Sequence, residues 1–402
     1  MPPIADATVC PPQPADRVSS TALVLFALAM GGFAVGTSEF ASMGLLPYYA
    51  AELGLNETQA GHAVSAYALG VVVGAPLIAV ASARLSRQRL LIVLMLAYGF
   101  CNLLTALAPS YGLLLLARFA AGLPHGAYFG VAAIVGAGLV PTHKRTRAVA
   151  TIMLGLTIAT TIGVPLANVL GEYLSWRWAY ALVAVLALTT SGLIALFAPR
   201  DAGDRSANLL SELDALRRPL VWMLLGTAAV GFGGMFAIYT YATTTLLQVT
   251  QVSPDLIPVY LVIFGLGLTV GTMVMGYAGD RWPDKAPVVI VALSIFLYAG
   301  FAFVMASMTG MAAYLFLVGC MGSLGSLIQT RLMDVAGKAQ TMAAAMNHSA
   351  FNFANALGPF LAGLALSAGY GLQSSGYVGA GLSVLGLVLM VITIKMTRAS
   401  LR

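Results

Sequence analysis

Apolar residues run along this chain in stretches of about twenty, and polar residues collect in the short gaps between them. Such runs match the ~30 Å hydrocarbon core of a bilayer at ~1.5 Å of helical rise per residue. Twelve stretches predict twelve helices, near 21–46, 58–82, 89–108, 112–139, 148–170 and 178–198 in the first half. The second half supplies 219–247, 255–278, 287–307, 311–333, 339–367 and 376–396. The expected fold is an all-α membrane protein with two pseudo-symmetric six-helix bundles. A Pro-rich polar tail at 1–20 precedes a first bundle at 21–199, and a charged linker at 200–218 leads to a second bundle at 219–402. The tail has no short apolar core ending in a cleavage site, so it reads as a disordered cytoplasmic extension rather than a signal peptide.

Composition supports a polytopic membrane protein, being 59% hydrophobic and only 8% charged. The 43 glycines suit helices that pack closely in lipid. Cys10, Cys101 and Cys320 are scattered, with neither metal nor redox spacing. A net charge of +6 raises the question of nucleic acid, but its distribution argues for topology instead. Basic residues gather in the tails and in the loops from even- to odd-numbered spans, at Arg84, Arg87, Arg89, Lys144, Arg145, Arg147, Arg217, Arg218, Arg281 and Lys285. The opposite loops carry Glu52, Glu57, Glu172 and Asp255. The positive-inside rule then predicts that both termini are cytoplasmic.

Two charges break the apolar pattern. Arg118 sits seven residues into the fourth span, LLLLARFAAGLPHGAYFG (113–130), with Gly122, His125 and Phe129 on its helical face. Gly122, Gly126 and Gly130 form a groove of small residues that another helix can enter. Glu39 lies in the first span at a comparable distance from the outer end, roughly 10–12 Å deep for both. Equal depth predicts an ion pair or a water-bridged pair. Burial opposes ionisation of a carboxylate and a neighbouring cation promotes it, so Glu39 between the two could load and release a proton. A static pair that holds spans one and four is the alternative.

The halves repeat. The loops ASARLSRQR (81–89) and AGDRWPDK (278–285) align Arg84 with Arg281 at an offset of 197, and Gly163-Val164-Pro165 falls near Gly358-Pro359. In that register Glu39 corresponds to Phe236, so the scaffold is duplicated while the charge is not.

The architecture and repeated loop resemble the major facilitator superfamily. GTSEFASMGLLP (36–47), ARFAAGLPHGAYFG (117–130), GLTIATTIGVP (155–165) and SWRW (175–178) are similar to its twelve-helix drug:proton antiporter branch. QTRLMDVAGKAQTMAAAMNHSAFNFANALGP (329–359) extends the likeness to AraJ-type sugar and drug efflux permeases and chloramphenicol exporters. Measured against the family's loop motif, the first copy has Ala79, Ala83 and Ser86 at two glycines and an aspartate, whereas the second keeps Gly276, Asp280 and Arg281. The resemblance therefore implies a charge latch that is weaker on the N-terminal side. It also gives Gly155, Gly163 and Pro165 the antiporter motif's role of close packing and bending at the bundle interface.

Further candidates follow from polar and aromatic residues at mid-depth. His125 could contact substrate or share a proton with Glu39; Tyr128 is a neighbouring candidate. His348, Asn352 and Asn355 share one face of span eleven beside Asn347, and Phe232, Phe236 and Tyr239 share a face of span seven. Each set serves equally well for ordinary packing. No phosphate-cradling loop, metal cluster or nucleophile elbow is present, so neither enzyme activity nor a cofactor is expected. The expected function is proton-coupled export of a small organic solute, an amphenicol-type drug or a sugar, across a bacterial inner membrane. Import of a sugar or nucleoside, or a non-transporting sensor on the same fold, are the rivals. A monomer in the bilayer suffices, with protons and a small molecule as partners and no nucleic acid.

Overall fold

A computed structural model describes residues 20–55, 57–82, 84–201, 209–337 and 339–400. The expected tail at 1–20, except Ser20, lies outside the described residues, as do Ala83 of the first repeated loop and 202–208 of the linker. Eleven helices among the described residues are long and apolar enough to cross a membrane. In the first half these are α1 (Thr21–Gly44), α2 (Gln59–Ala81), α3 (Arg87–Ala106), α4 (Tyr111–Gly138), α5 (Thr142–Tyr173) and α6 (Trp176–Phe197). The second half holds α7 (Pro219–Gln248), α8 (Ile257–Arg281), the shorter α9 (Lys285–Ala299), α10 (Met308–Val335), α11 (Gln340–Ser367) and α12 (Ser374–Thr397).

The ninth span, expected as one helix over 287–307, is divided. Fifteen residues rise only ~22 Å. The helix stops at Gly300, whose N–H is shared between the carbonyls of Phe296 (3.0 Å) and Leu297 (3.1 Å), and a turn at Phe301–Val304 continues the path. Helix α5 also departs from regularity, with a π-helical turn at Ala159–Gly163. Pro165 explains it: proline has no N–H for the Thr161 carbonyl and its ring crowds that oxygen, so the ladder widens locally.

Helix pairing repeats between the halves. Helices α2 and α4, α3 and α6, and α1 and α5 pack together in the first; α8 and α10, α9 and α12, and α7 and α11 do so in the second. Backbone is the contact surface between α2 and α4. A Cβ at Gly70 would meet the Phe119 carbonyl, one at Gly74 the Leu123 backbone, and one at Gly122 the Tyr67 carbonyl. Gly267, Gly271 and Gly319, each 197 residues later, meet the backbones of Phe316, Cys320 and Phe264 between α8 and α10. Outward-facing side chains are large and apolar, with Phe303 89% exposed, as a lipid-facing surface requires.

At the end of the molecule rich in Arg and Lys, the halves are tied together. The backbone N–H groups of Thr146 and Arg147 donate to the two carboxylate oxygens of Asp280 (2.8 and 3.2 Å), so a side chain of α8 caps the helical part of α5 that starts at Arg145. Arg147 Nε lies 3.7 Å from the same carboxylate, and Arg145 pairs with Asp334 at 3.2 Å. At the start of α11, which takes the equivalent place in the repeat, the N-cap residue is Ala339, whose own side chain makes no capping hydrogen bond. At the opposite end Glu52 accepts from Trp176 Nε1 (2.6 Å) and Arg177 Nε (2.9 Å), closing that corner of the first half.

Candidate functional site

Arg118 is fully buried, and its surroundings come from four helices. Its Nη1 donates to Ser38 Oγ (2.9 Å), and Ser38 donates onward to Asn102 Oδ1 (2.7 Å). The guanidinium carbon lies 4.3 Å from the centre of the Tyr67 ring and 5.3 Å from that of Tyr180. Stacked rings of this kind compensate part of the loss of hydration of a buried guanidinium.

Glu39, the residue after Ser38, is 4% exposed and neither carboxylate oxygen has a hydrogen-bond partner. Of the direct or water-bridged pair expected with Arg118, the direct ion pair is not formed. Arg118 is engaged by Ser38 and by the two aromatic faces, leaving Nε and Nη2 without hydrogen bonds. The two groups remain within electrostatic reach of each other, and Asn352 of α11 is the other polar side chain that acts on the carboxylate.

From this cluster a polar path leads into the second half. Tyr67 Oη lies 3.0 Å from both Tyr98 Oη and His125 Nδ1. His125 Nε2 lies 3.3 Å from His348 Nδ1 on α11. The His348 ring stacks on Phe129 at 4.3 Å between centroids. The glycines of α4 allow this approach. Gly122 faces α2 as expected of a small-residue groove, while Gly126 and Gly130 lie against Ala345 of α11.

His348 and Asn347 line a cavity between the halves. Phe232, Phe236, Tyr239, Phe264 and Phe351 form its wall on the second-half side, with Phe40, Met153, Leu156, Thr157 and Thr160 opposite. Its mainly apolar, aromatic lining with a few polar groups is that of a small-molecule site. The aromatic face expected on span seven is therefore part of the wall, as are Asn347 and His348. Other candidates lie elsewhere. Tyr128 donates to the Leu28 carbonyl (2.7 Å) inside the first half, because a buried hydroxyl must find an acceptor. His125 and Asn355 are not among the lining residues, and Asn352 donates to the His348 carbonyl (3.1 Å).

The motif residues sit at packing contacts and at the basic end. A Cβ at Gly155 would enter the Ala29 backbone of α1, Gly163 faces Thr37, and Gly276 faces Ala150 across the two halves. Arg84 and Arg281 are exposed. Pro165 follows the π turn whose Thr160 and Thr161 face Gly265 of α8. Sequence reasoning missed Tyr67, Tyr98, Asn102 and Tyr180, although each is a polar group inside an apolar run. It also missed Phe264 and Phe351.

Two matched bundles of membrane helices, joined across a central cavity, define a transporter fold. Residues 28–253 and 242–401 each match the Major Facilitator Superfamily, and the chain belongs to that family. Over 367 residues it is 35% identical to the inner membrane transport protein YdhP of Escherichia coli (strain K12), covering 91% of this chain and 94% of that protein. A chloramphenicol resistance protein of Streptomyces lividans is 33% identical over 351 residues, covering 86% of this chain and 89% of its own. Among solved structures, a single-residue variant of the E. coli fucose:proton symporter FucP aligns with a TM-score of 0.74 at 14% identity, over 93% of this chain and 98% of that one. The chain is a membrane transporter of the Major Facilitator Superfamily and not an enzyme.

Proposed function

We propose that this transporter exports a small organic solute, such as an amphenicol-type drug or a sugar, across a bacterial inner membrane in exchange for protons. The observation that carries this reading is the buried, unpaired carboxylate of Glu39 beside a fully buried Arg118. A carboxyl and a guanidinium buried in a low-dielectric interior without a direct bond to each other are costly, which marks the pair as functional. Glu39 is the proton carrier, and Arg118, held by Ser38 and the two tyrosine rings, sets how readily it ionises. Asn352 brings the state of Glu39 to α11 in the other half. His125 passes it on through His348 to the cavity.

Solute enters the cavity against the wall that Phe236 and Phe351 form together, and the halves rock about it. Both termini are cytoplasmic in this reading, which makes the basic end the inner gate and Asp280 its latch. Gly155, Gly163 and the turn before Pro165 are the flexible joint at which α1, α5 and α8 slide. The relative named for chloramphenicol resistance favours export. The fold match to a protein named a fucose:proton symporter keeps import as the rival direction.

The test is a proteoliposome assay with an imposed proton gradient and chloramphenicol as the solute. Glu39→Gln should bind solute and exchange it between compartments at equal concentration, yet fail to accumulate it. Gradient-driven accumulation equal to that of the unaltered protein would remove Glu39 from the mechanism.

A further inference from the structure

Two hydrogen-bond chains end at the cavity, and a backbone carbonyl fixes the direction of each. The first starts at the carbonyl of Phe129. A carbonyl only accepts, so Gln329 must turn its Nε2 toward it (3.3 Å) and its Oε1 the other way. Asn347 Nδ2 donates to that Oε1 (2.7 Å), with the Gly325 carbonyl as a second acceptor at 3.5 Å. Asn347 Oδ1 is left as a buried acceptor with no partner.

The second chain starts at the carbonyl of Val35, to which Tyr98 Oη donates (3.3 Å). With its proton committed there, Tyr98 accepts from Tyr67. Tyr67 then accepts from His125 Nδ1–H, and His125 Nε2 accepts from His348 Nδ1–H. In a neutral ring this leaves His348 Nε2 with a lone pair. That atom too is buried and without a partner. Asn347 is 3% exposed and His348 5%, and both line the same cavity.

The rest of the lining adds little polarity. No Asp, Glu, Lys or Arg is among its residues. Thr157, Thr160, Thr272, Ser323 and Ser326 each donate to a carbonyl of their own helix segment. Tyr239, partly exposed and stacked on Phe264 at 4.2 Å, is the remaining hydroxyl.

We infer that the cavity selects neutral, ring-bearing solutes that carry their own hydrogen-bond donors, with Asn347 Oδ1 and His348 Nε2 as the two acceptors. The inference rests on the reading of this cavity as the solute site. Burying an acceptor without a donor is costly, so a ring lacking hydroxyl or N–H groups leaves two atoms unsatisfied. A carboxylate would face two acceptors and no cation.

The test compares 2,3-dihydroxynaphthalene with naphthalene and 2,3-dimethoxynaphthalene by calorimetry on the purified full-length transporter in nanodiscs. The diol should bind about tenfold more tightly or better, since each of two net hydrogen bonds contributes roughly two- to tenfold. Partition into lipid favours the other two probes, so it works against this result. His348→Leu and Asn347→Leu should each erase much of the diol's advantage, while Phe351→Ala should weaken all three probes. Equal affinity of diol and naphthalene in the unaltered protein, with both weakened by Phe351→Ala, overturns the acceptor pair and leaves the cavity as the solute site. Binding indifferent to Phe351→Ala, or no binding of any probe, overturns both.

Discussion

Asp280→Ala isolates the latch at the basic end. Asp280 takes the N–H groups of Thr146 and Arg147, and both bonds exist only while α5 and α8 are together. Losing such a helix cap costs about 0.5–2 kcal/mol. The ion pair with Arg147 adds little, because that side chain is 47% exposed and the separation is 3.7 Å. A net loss of about 1–2 kcal/mol from the closed state shifts the open–closed equilibrium about 5- to 30-fold toward an open basic end. Spin labels at Lys144→Cys and Lys285→Cys, both exposed, report this opening once Cys10, Cys101 and Cys320 are replaced by Ser. Double electron–electron resonance should show the longer-distance population rise by that factor. Asp280→Asn, which keeps an acceptor oxygen, should give an intermediate shift. Distance distributions unchanged to within about twofold would show that the cap does not hold the gate, contrary to its expected energy.

Other perturbations follow from the same geometry. Gly74→Ala and Gly271→Ala each push a Cβ into facing backbone, at Leu123 and Cys320. Overpacking of this kind costs about 1–3 kcal/mol, so both should lower the thermal midpoint in nanodiscs, and an unchanged midpoint rejects the close approach. Arg118→Lys keeps the charge but loses the planar face between Tyr67 and Tyr180. Gradient-driven flux should fall by about tenfold or more, whereas undiminished flux would make the aromatic sandwich irrelevant. Tyr98→Phe removes the donor that fixes the chain at Val35. Diol-over-naphthalene selectivity should narrow by several-fold, and a preserved ratio would mean the tyrosines do not set the proton on His348.

Apolar run length placed twelve spans in the sequence, because a bilayer demands that length irrespective of partners. The exception, α9, fails on a local property: Gly300 interrupts a run that hydropathy alone reads as continuous. Glu39 and Arg118 were legible as charges in hydrocarbon, but their relation was not. Whether two side chains at equal depth meet depends on helix rotation and on competitors, and Ser38 with Tyr67 and Tyr180 outcompeted Glu39 for the guanidinium. The direction of Tyr128 was hidden for a similar reason. The residue shares helix α4 with His125, yet its face turns into the first half, toward Leu28. The contact between His125 and His348 joins residues 223 apart, and no local spacing announces it.

The glycine pairs at 70 and 267, 74 and 271, and 122 and 319 fix the internal repeat, since each makes the same backbone contact in its own half. Carrying that register across the site places Glu39 opposite Phe236, Tyr67 opposite Phe264, Arg118 opposite Leu315, and His125 and Tyr128 opposite Gly322 and Gly325. Phe236, Phe264, Gly322 and Gly325 all line the cavity. The positions that hold ionisable and phenolic groups in one half thus hold apolar side chains or glycine in the other. Charge inside a membrane is expensive, and a second copy of it would have filled the cavity with groups needing partners. On the reading proposed above, protons load in the first half and solute binds on the second. Among the contacts through which the two sites communicate are His125 with His348 and the Phe129 carbonyl with Gln329, which holds Asn347. Rocking the halves apart must break a 3.3 Å contact between two rings, so proton state and cavity shape cannot change independently.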